Sequence, residues 1–230
     1  MRQSLLLTLF AAAVGLSACE RSGQAQVDEV LEDLNVVDET NLNDVMLTVG
    51  DPNQAVAYFA DASAKNPERV DLKRGLALSL IRAQRSTDAV SAWQAVVAHE
   101  EATEGDSVHL ADAYRRNTDW DAAAATLNTI PPTYEPFKRY RLEAMVADSR
   151  QQWSKADSFY ETAVGLTTRP ATVYNNWGYS KLTRGEYAAA ERLFVDALRF
   201  DSSMFTAKNN LVLARGAQRK YTLPVVPMTQ

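Results

Sequence analysis

Reactive and metal-binding side chains are scarce in this sequence. Its 230 residues include one Cys and two His. A single Cys closes no internal disulfide and builds no Cys-rich zinc site. His99 and His109 have no Cys or Glu partner at ligand spacing, so no metal or cofactor is expected. Nine Gly are too few for Gly-rich phosphate loops or a many-turned β fold, and no Gly-x-Ser-x-Gly elbow occurs. Positive charge is short as well: 24 Lys and Arg against 29 Asp and Glu give a net −5. That leaves no surplus to neutralise phosphates and excludes a nucleic-acid partner. Paired carboxylates such as Glu100-Glu101 fall in a turn between helical stretches. No constellation emerges for chemistry on a small-molecule substrate, and the chain reads as a non-enzyme.

What the sequence does hold is small apolar residues. Hydrophobic residues make up 46% of the chain and aromatics only 9%. An Ala-heavy composition suits helices that pack closely, and no alternating strand pattern of useful length appears.

Residues 1–18 differ from the rest. Arg2 gives a positive start, Ser4 to Leu16 is uncharged and mostly apolar, and the small residues Ser17 and Ala18 precede Cys19. This is the pattern of a secretory signal peptide, too short in its apolar core to favour a stable span. Leu16-Ser17-Ala18-Cys19 resembles a bacterial lipobox. The resemblance implies cleavage before Cys19, a diacylglyceryl thioether on its sulfur and an acylated amino terminus. Several acyl chains together anchor firmly, at about 0.8 kcal/mol per buried methylene. A non-lipidated signal peptide followed by a chance Cys is the alternative. The mature chain would carry 23 positive and 29 negative residues, a net −6. Its second residue would be Glu20 rather than the Asp of inner-membrane lipoproteins, which favours an outer-membrane anchor facing the periplasm. Residues 19–35 then form the lipidated Cys and a polar tether with a short helix.

Beyond the tether the chain repeats. The clearest unit, 171–204, places Tyr174, Trp177-Gly178, Gly185, Tyr187, Ala190, Phe194 and Ala197-Leu198 at positions 4, 7–8, 15, 17, 20, 24 and 27–28 of a 34-residue frame. Earlier units 36–69, 70–103, 104–136 and 137–170 carry matching residues, among them Ala55 with Phe59, Ala89 with Trp93, Ala123 with Leu127, and Ala156 with Tyr160. The pattern resembles the tetratricopeptide repeat, in which each unit is a pair of antiparallel helices touching at the small positions 8, 20 and 27. The first unit is irregular, with Asn43 at position 8, and the third breaks early at Pro131-Pro132. The expected fold is an all-α tetratricopeptide-repeat solenoid of five units, a capping helix at 205–220 and an extended Pro-containing tail at 221–230.

Such a solenoid offers a curved inner surface lined by the first helix of each pair. Family positions 5, 6 and 9 face it. They select Arg74, Arg141, Asn175 and Asn209 at position 5, Asn41, His109, Asn176 and Asn210 at position 6, and Tyr179 at position 9, with Asp112 at the matching site earlier. Asn both donates and accepts, so a row of Asn suits the backbone of an extended peptide. Bonding within the repeats is the equally open alternative. Arg at position 5 suits an acidic or carboxyl-terminal group, although the full Lys/Asn clamp of chaperone-binding repeats is not matched. Arg82, Arg115 and Arg116 read as solvated helix faces.

Leu-Ser-Ala-Cys, Asn175-Asn176-Trp177-Gly178-Tyr179-Ser180, Asn209-Asn210-Leu211-Val212-Leu213-Ala214 and Pro224-Val225-Val226-Pro227-Met228 together resemble the repeat lipoproteins of the Tad (Flp) pilus assembly system, the TadD family. The resemblance implies a periplasm-facing scaffold for protein–protein interaction, acting on a secretin or other pilus components, with a pilotin duty toward the secretin. A scaffold for another envelope machine, such as a type IV pilus pilotin, outer-membrane protein assembly or regulation of a cell-wall enzyme, is the competing reading. Replacing Cys19 by Ser is expected to move the protein from the salt-washed membrane pellet to the soluble periplasm. Retention of the Ser variant in the pellet, read by immunoblot, would remove the lipid anchor.

Overall fold

The computed structural model describes residues 42–222, and every regular element among them is a helix. The signal peptide, Cys19, the tether, Asn41 and residues 223–230 of the tail lie outside the described residues. Residues 42–48 form α1. It is followed by α2 (Pro52–Lys65), α3 (Val70–Arg82), α4 (Ser86–Val97), α5 (Glu104–Arg116) and α6 (Trp120–Thr129). The second half holds α7 (Phe137–Ser149), α8 (Trp153–Gly165), α9 (Ala171–Thr183), α10 (Tyr187–Phe200) and α11 (Phe205–Thr222). Each helix packs on the next, and α5, α7, α9 and α11 also meet one another in series. The result is a tetratricopeptide-repeat solenoid of antiparallel helix pairs closed by α11.

Backbone chemistry sets the sharp turns inside the pairs. Gln84, Thr118, Gln151 and Gly185 all have positive φ, between 55° and 81°. At the first of these, the Gln84 N–H donates to the Ile81 carbonyl at 3.1 Å and the Arg85 N–H to the Leu80 carbonyl at 2.9 Å. The same two bonds recur after α5, α7 and α9. Each turn is therefore a Schellman stop that satisfies the last carbonyls of one helix and launches the next. Only Gly185 is the residue such a conformation prefers; the other three carry a Cβ against it. Starts are marked more conventionally. The Asp51 carboxylate accepts from the Asn53 and Gln54 N–H groups ahead of α2, and Thr103 and Asp106 form a capping box on α5.

The core is a series of local clusters rather than one mass. Ala55, Ala89, Ala123, Ala156 and Ala190, all at position 20 of the frame, are buried, as are Phe59, Trp93, Leu127, Tyr160 and Phe194 at position 24. A buried ring or Leu of this size contributes about 1.5–3 kcal/mol. Its partner across the pair is small: Ala77 shares a cluster with Trp93, Ala111 with Leu127, and Ala144 with Tyr160. In the fifth pair the small partner is Gly178, and a Cβ on it would lie 2.7 Å from Phe194 Cε1.

Three departures have local causes. In the first pair Asn43 occupies the small position, and its Oδ1 accepts from the Tyr58 hydroxyl at 2.8 Å. Phe59 instead presses forward onto Gly75 of α3, where a Cβ would meet its ring. Second, Arg82 is not a solvated face. Its guanidinium donates to the Met46 and Gly50 carbonyls, at 2.7 Å each, and so caps the end of α1 from the next pair. Third, α11 continues to Thr222, two residues past the expected 205–220, and takes residues 221 and 222 from the tail. No helix-breaking residue precedes Pro224, which restricts only the residue before it.

These contacts make opposite predictions for two glycine exchanges. Thr118→Gly should stabilise by about 1 kcal/mol by relieving a β-branched residue at positive φ. Gly178→Ala should destabilise by about 1–2 kcal/mol net, because overpacking against Phe194 outweighs the gain in helix propensity. Thermal unfolding followed by far-UV circular dichroism should move up by about 2–4 °C for the first and down by a comparable or larger amount for the second.

Candidate functional site

The first helices of successive pairs stand side by side, and two cavities open on their shared face. The larger, about 570 Å³, lies between α7, α9 and α11. The smaller, about 210 Å³, lies between α3, α5 and α7. Helix α7 contributes to both, with Met145 on the large cavity and Arg141 on the small one.

Asn175, Asn176, Tyr179, Asn209 and Asn210 all line the large cavity. Their hydrogen bonding separates them. The Asn210 amide donates to the Asn175 carbonyl at 3.1 Å and ties α11 to α9. The Asn176 amide reaches only the Met145 thioether, at 3.6 Å, a weak acceptor. Among the described residues the Asn209 side chain and the Tyr179 hydroxyl, the latter on a residue 55% exposed, make no hydrogen bond. Bonding between repeats therefore claims Asn175 and Asn210, while Asn176, Asn209 and Tyr179 keep capacity facing the cavity.

The remaining candidates sit elsewhere. Arg74 is an internal staple: its Nε and Nη2 donate to the two oxygens of Asp106 at 2.8 and 2.7 Å, and Nη2 also reaches the Glu101 carbonyl at 2.9 Å. Burial works to raise the Asp106 pKa, but Arg74 and Thr103 outweigh it and hold the carboxyl below its usual range. His109 stacks on Trp93, with ring centroids 4.8 Å apart and planes 9° from parallel. Burial, helped by the nearby Lys138 charge, lowers its pKa and favours the neutral ring. His109 and Arg141 line the smaller cavity together with Asp112. Arg115 and Arg116 each bond Asp112 at 2.8 Å, so neither is a free face residue.

Trp120, Trp153 and Met145 also line the large cavity and had no place in the sequence-based groove. A signal for each was present. Met145 fills position 9 of its unit, the slot that selected Tyr179, and Trp120 and Trp153 share position 17.

A polar network holds the cavity wall. Asp148 accepts from the Ser180 hydroxyl at 2.6 Å and from the Tyr160 hydroxyl at 3.0 Å. Burial pushes the Asp148 carboxyl up despite these bonds, and burial with the Asp148 charge pushes the Tyr160 phenol up as well. The Arg184 side chain, 5% exposed, makes two bonds to Asp157 at 2.8 and 3.0 Å and lies over the Trp153 ring at 5.0 Å. Trp177 Nε1 and Lys181 Nζ add bonds to Asp157 at 2.7 and 2.9 Å. Burial opposes ionisation of Asp157, and these donors override it, lowering its pKa to about 2. The network fixes α8 to α9, and each charged group in it has a partner that explains its position. Among the described residues no group of three or more His, Cys, Asp or Glu is arranged to hold a metal ion, and no helix is long and apolar enough to cross a membrane.

With this geometry, the likenesses to known proteins concern the fold. The tetratricopeptide repeat family model matches residues 46–106. A chain of the APC/C hetero-tetramer Cut9-Hcn1 superposes with a TM-score of 0.67 at 16% identity, over 93% of this chain and 44% of that one. This chain thus spans less than half the length of that relative. TTC0263, a thermophilic repeat protein of Thermus thermophilus, superposes with a TM-score of 0.64 at 17% identity, over 76% of this chain and 96% of that one. YrrB, described as a repeat protein with an unusual peptide-binding site, gives 0.53 at 12% identity, over 78% and 89%. No curated protein matches the sequence. The fold is one used for protein–protein interaction.

The Asp157 network gives a pH prediction. In the unfolded chain its carboxyl protonates near 4, whereas in the fold it stays ionised down to about 2. Its stabilisation is therefore complete above the unfolded value and disappears as pH falls from about 5 to 2. Asp157→Asn should lower stability at pH 7 by about 2 kcal/mol and flatten the loss on acidification, read by urea unfolding across that range.

Proposed function

We propose that this tetratricopeptide-repeat solenoid is a membrane-tethered adaptor that holds an extended segment of a partner protein in the cavity between α7, α9 and α11. The observation that carries the reading is the free polar capacity of Asn176, Asn209 and Tyr179 beside the apolar wall of Met145 and Trp153. An extended backbone presents alternating donors and acceptors that Asn side chains match without regard to sequence. Large side chains of the same segment fill the apolar space and supply most of the affinity. YrrB, a protein of similar fold, is described as having an unusual peptide-binding site, which supports a peptide as the ligand.

The lipobox-like Leu16-Ser17-Ala18-Cys19 supports a periplasm-facing lipid anchor on Cys19, in the outer membrane. The resemblance to the Tad/Flp repeat lipoproteins supports pilus assembly as the setting, with the secretin as partner and a pilotin role toward it. The acidic body then hangs from the membrane by its polar tether and presents the groove to the assembling machine.

A photo-crosslinking amino acid in place of Tyr179 should capture the secretin or another pilus component in cells, identified by mass spectrometry. Changing Asn176 and Asn209 together to Ala should abolish the capture while the circular dichroism spectrum is unchanged. Equal capture by the double variant would exclude the groove as the binding surface. Capture of a component of another envelope machine would instead move the protein out of the pilus system.

A further inference from the structure

The small cavity differs from the large one in charge. Arg141 lines it, with Nε buried and without a hydrogen-bond partner. No other nitrogen of its guanidinium forms a hydrogen bond or ion pair among the described residues. A cation removed from water without an anion destabilises the fold, and desolvation accordingly pulls this guanidinium below its usual pKa. Asp112 attracts it but is already engaged by Arg115 and Arg116 at 2.8 Å each, and those two arginines repel Arg141. Lys138, exposed on the first turn of α7, also lines the cavity and forms no ion pair among the described residues. Arg116, Lys138 and Arg141 thus face a single committed carboxylate, in a chain whose net charge is −5. The concentration of positive charge runs against the composition, and among the described residues Lys138 and Arg141 have no anion of their own.

We infer that the cavity between α5 and α7 is a subsite for an Asp or Glu side chain of the segment held in the groove, with Arg141 as its forked partner and Lys138 beside it. The inference rests on the groove reading above. Charge complementarity selects an acid, and the floor selects an internal one: Leu78, Ile81 and Trp93 carry the cavity on toward α3, so the bound chain is supported on both sides of the carboxylate. The two cavities flank α7. Neighbouring helices stand about 8–10 Å apart, and an extended chain advances about 3.3 Å per residue. The acid therefore lies two to four residues from the large apolar side chain that fills the α7–α9–α11 cavity.

Selection of a phage-displayed library of random peptides on the full-length protein in detergent tests this. The enriched peptides should carry Asp or Glu two to four residues from a large apolar residue. Fluorescence anisotropy of a synthetic peptide from that set should show a loss of about tenfold or more when its acid becomes the amide. Arg141→Gln should cause the same loss for the acidic peptide and none for the amide peptide, with Arg141→Lys intermediate. Its melting temperature should hold or rise, since a half-buried cation without an internal anion is removed; should the variant not fold, Lys138→Gln should lower acidic-peptide affinity more at low than at high salt. Apolar enrichment without acid, an Arg141→Gln loss equal for both peptides, a Lys138→Gln loss independent of salt, or dependence on a free terminal carboxylate would overturn the subsite and leave the groove reading standing. Absence of any peptide whose binding is lost on changing Asn176 and Asn209 to Ala would overturn both.

Discussion

The array depends on how near two helices can come. In the second to fifth pairs a large side chain from the second helix seats against a small residue of the first, and in the first pair Phe59 seats against Gly75 of the next. Phe194 meets Gly178, while Trp93, Leu127 and Tyr160 share clusters with Ala77, Ala111 and Ala144. Close approach buries the ring and brings the backbones into dispersion contact, and one added methyl group at the contact pushes both away. Because the approach repeats at each pair, the first helices come to stand in a row. The cavities are the space that row leaves. A groove whose shape follows from packing this tight is preformed, and preformed sites lose less entropy on binding.

Charge is arranged with two different purposes along the same face. On the α8–α9 side Arg184 and Lys181 both bond the Asp157 carboxylate, and Asp148 accepts from two hydroxyl donors. Breaking such a set leaves an uncompensated buried charge, so the wall is rigid and chemically quiet. On the α5–α7 side the arithmetic does not close, and Arg141 is left over. Arg74 and Arg184 each reach a carboxylate and Arg82 two helix-end carbonyls, whereas among the described residues Arg141 reaches neither, and the exception points outward.

The fold class was legible because the contact rule is written in residue size. Ala at position 20 and a ring or Leu at position 24 recur through five units, and only paired helices need that combination at that spacing. The irregular Asn43 was legible as an irregularity, but not that Phe59 would turn to Gly75 instead, since that choice belongs to the neighbouring unit. The candidate site was legible as a face and not as a set of partners. Position 5 gave Arg74 and Arg141 the same reading; in the structure an Asp106 thirty-two residues on claims the first, and nothing among the described residues claims the second. Asn175 and Asn210 likewise select each other across thirty-five residues. Periodicity places side chains on a surface, while rotamers and neighbours from the next unit decide which remain available.

The series is thin at two junctions, α6–α7 and α8–α9, and the first follows the shortened third unit. Its second helix stops at Thr129 ahead of Pro131-Pro132, and α6 meets α7 less extensively than α4 meets α5. The stretch that follows is stitched down by Arg139, which donates to the Pro131 and Tyr134 carbonyls at 2.6 and 2.7 Å. Elastically, this makes the superhelix a spring of unequal stiffness, with one of its two softer joints beside α7. Bending is easiest at such joints, and at this one the two bonds of Arg139 hold the connecting stretch to the start of α7. A ligand lying across α7 therefore bridges the compliant coil, so holding it and fixing the curvature of the whole molecule become one event.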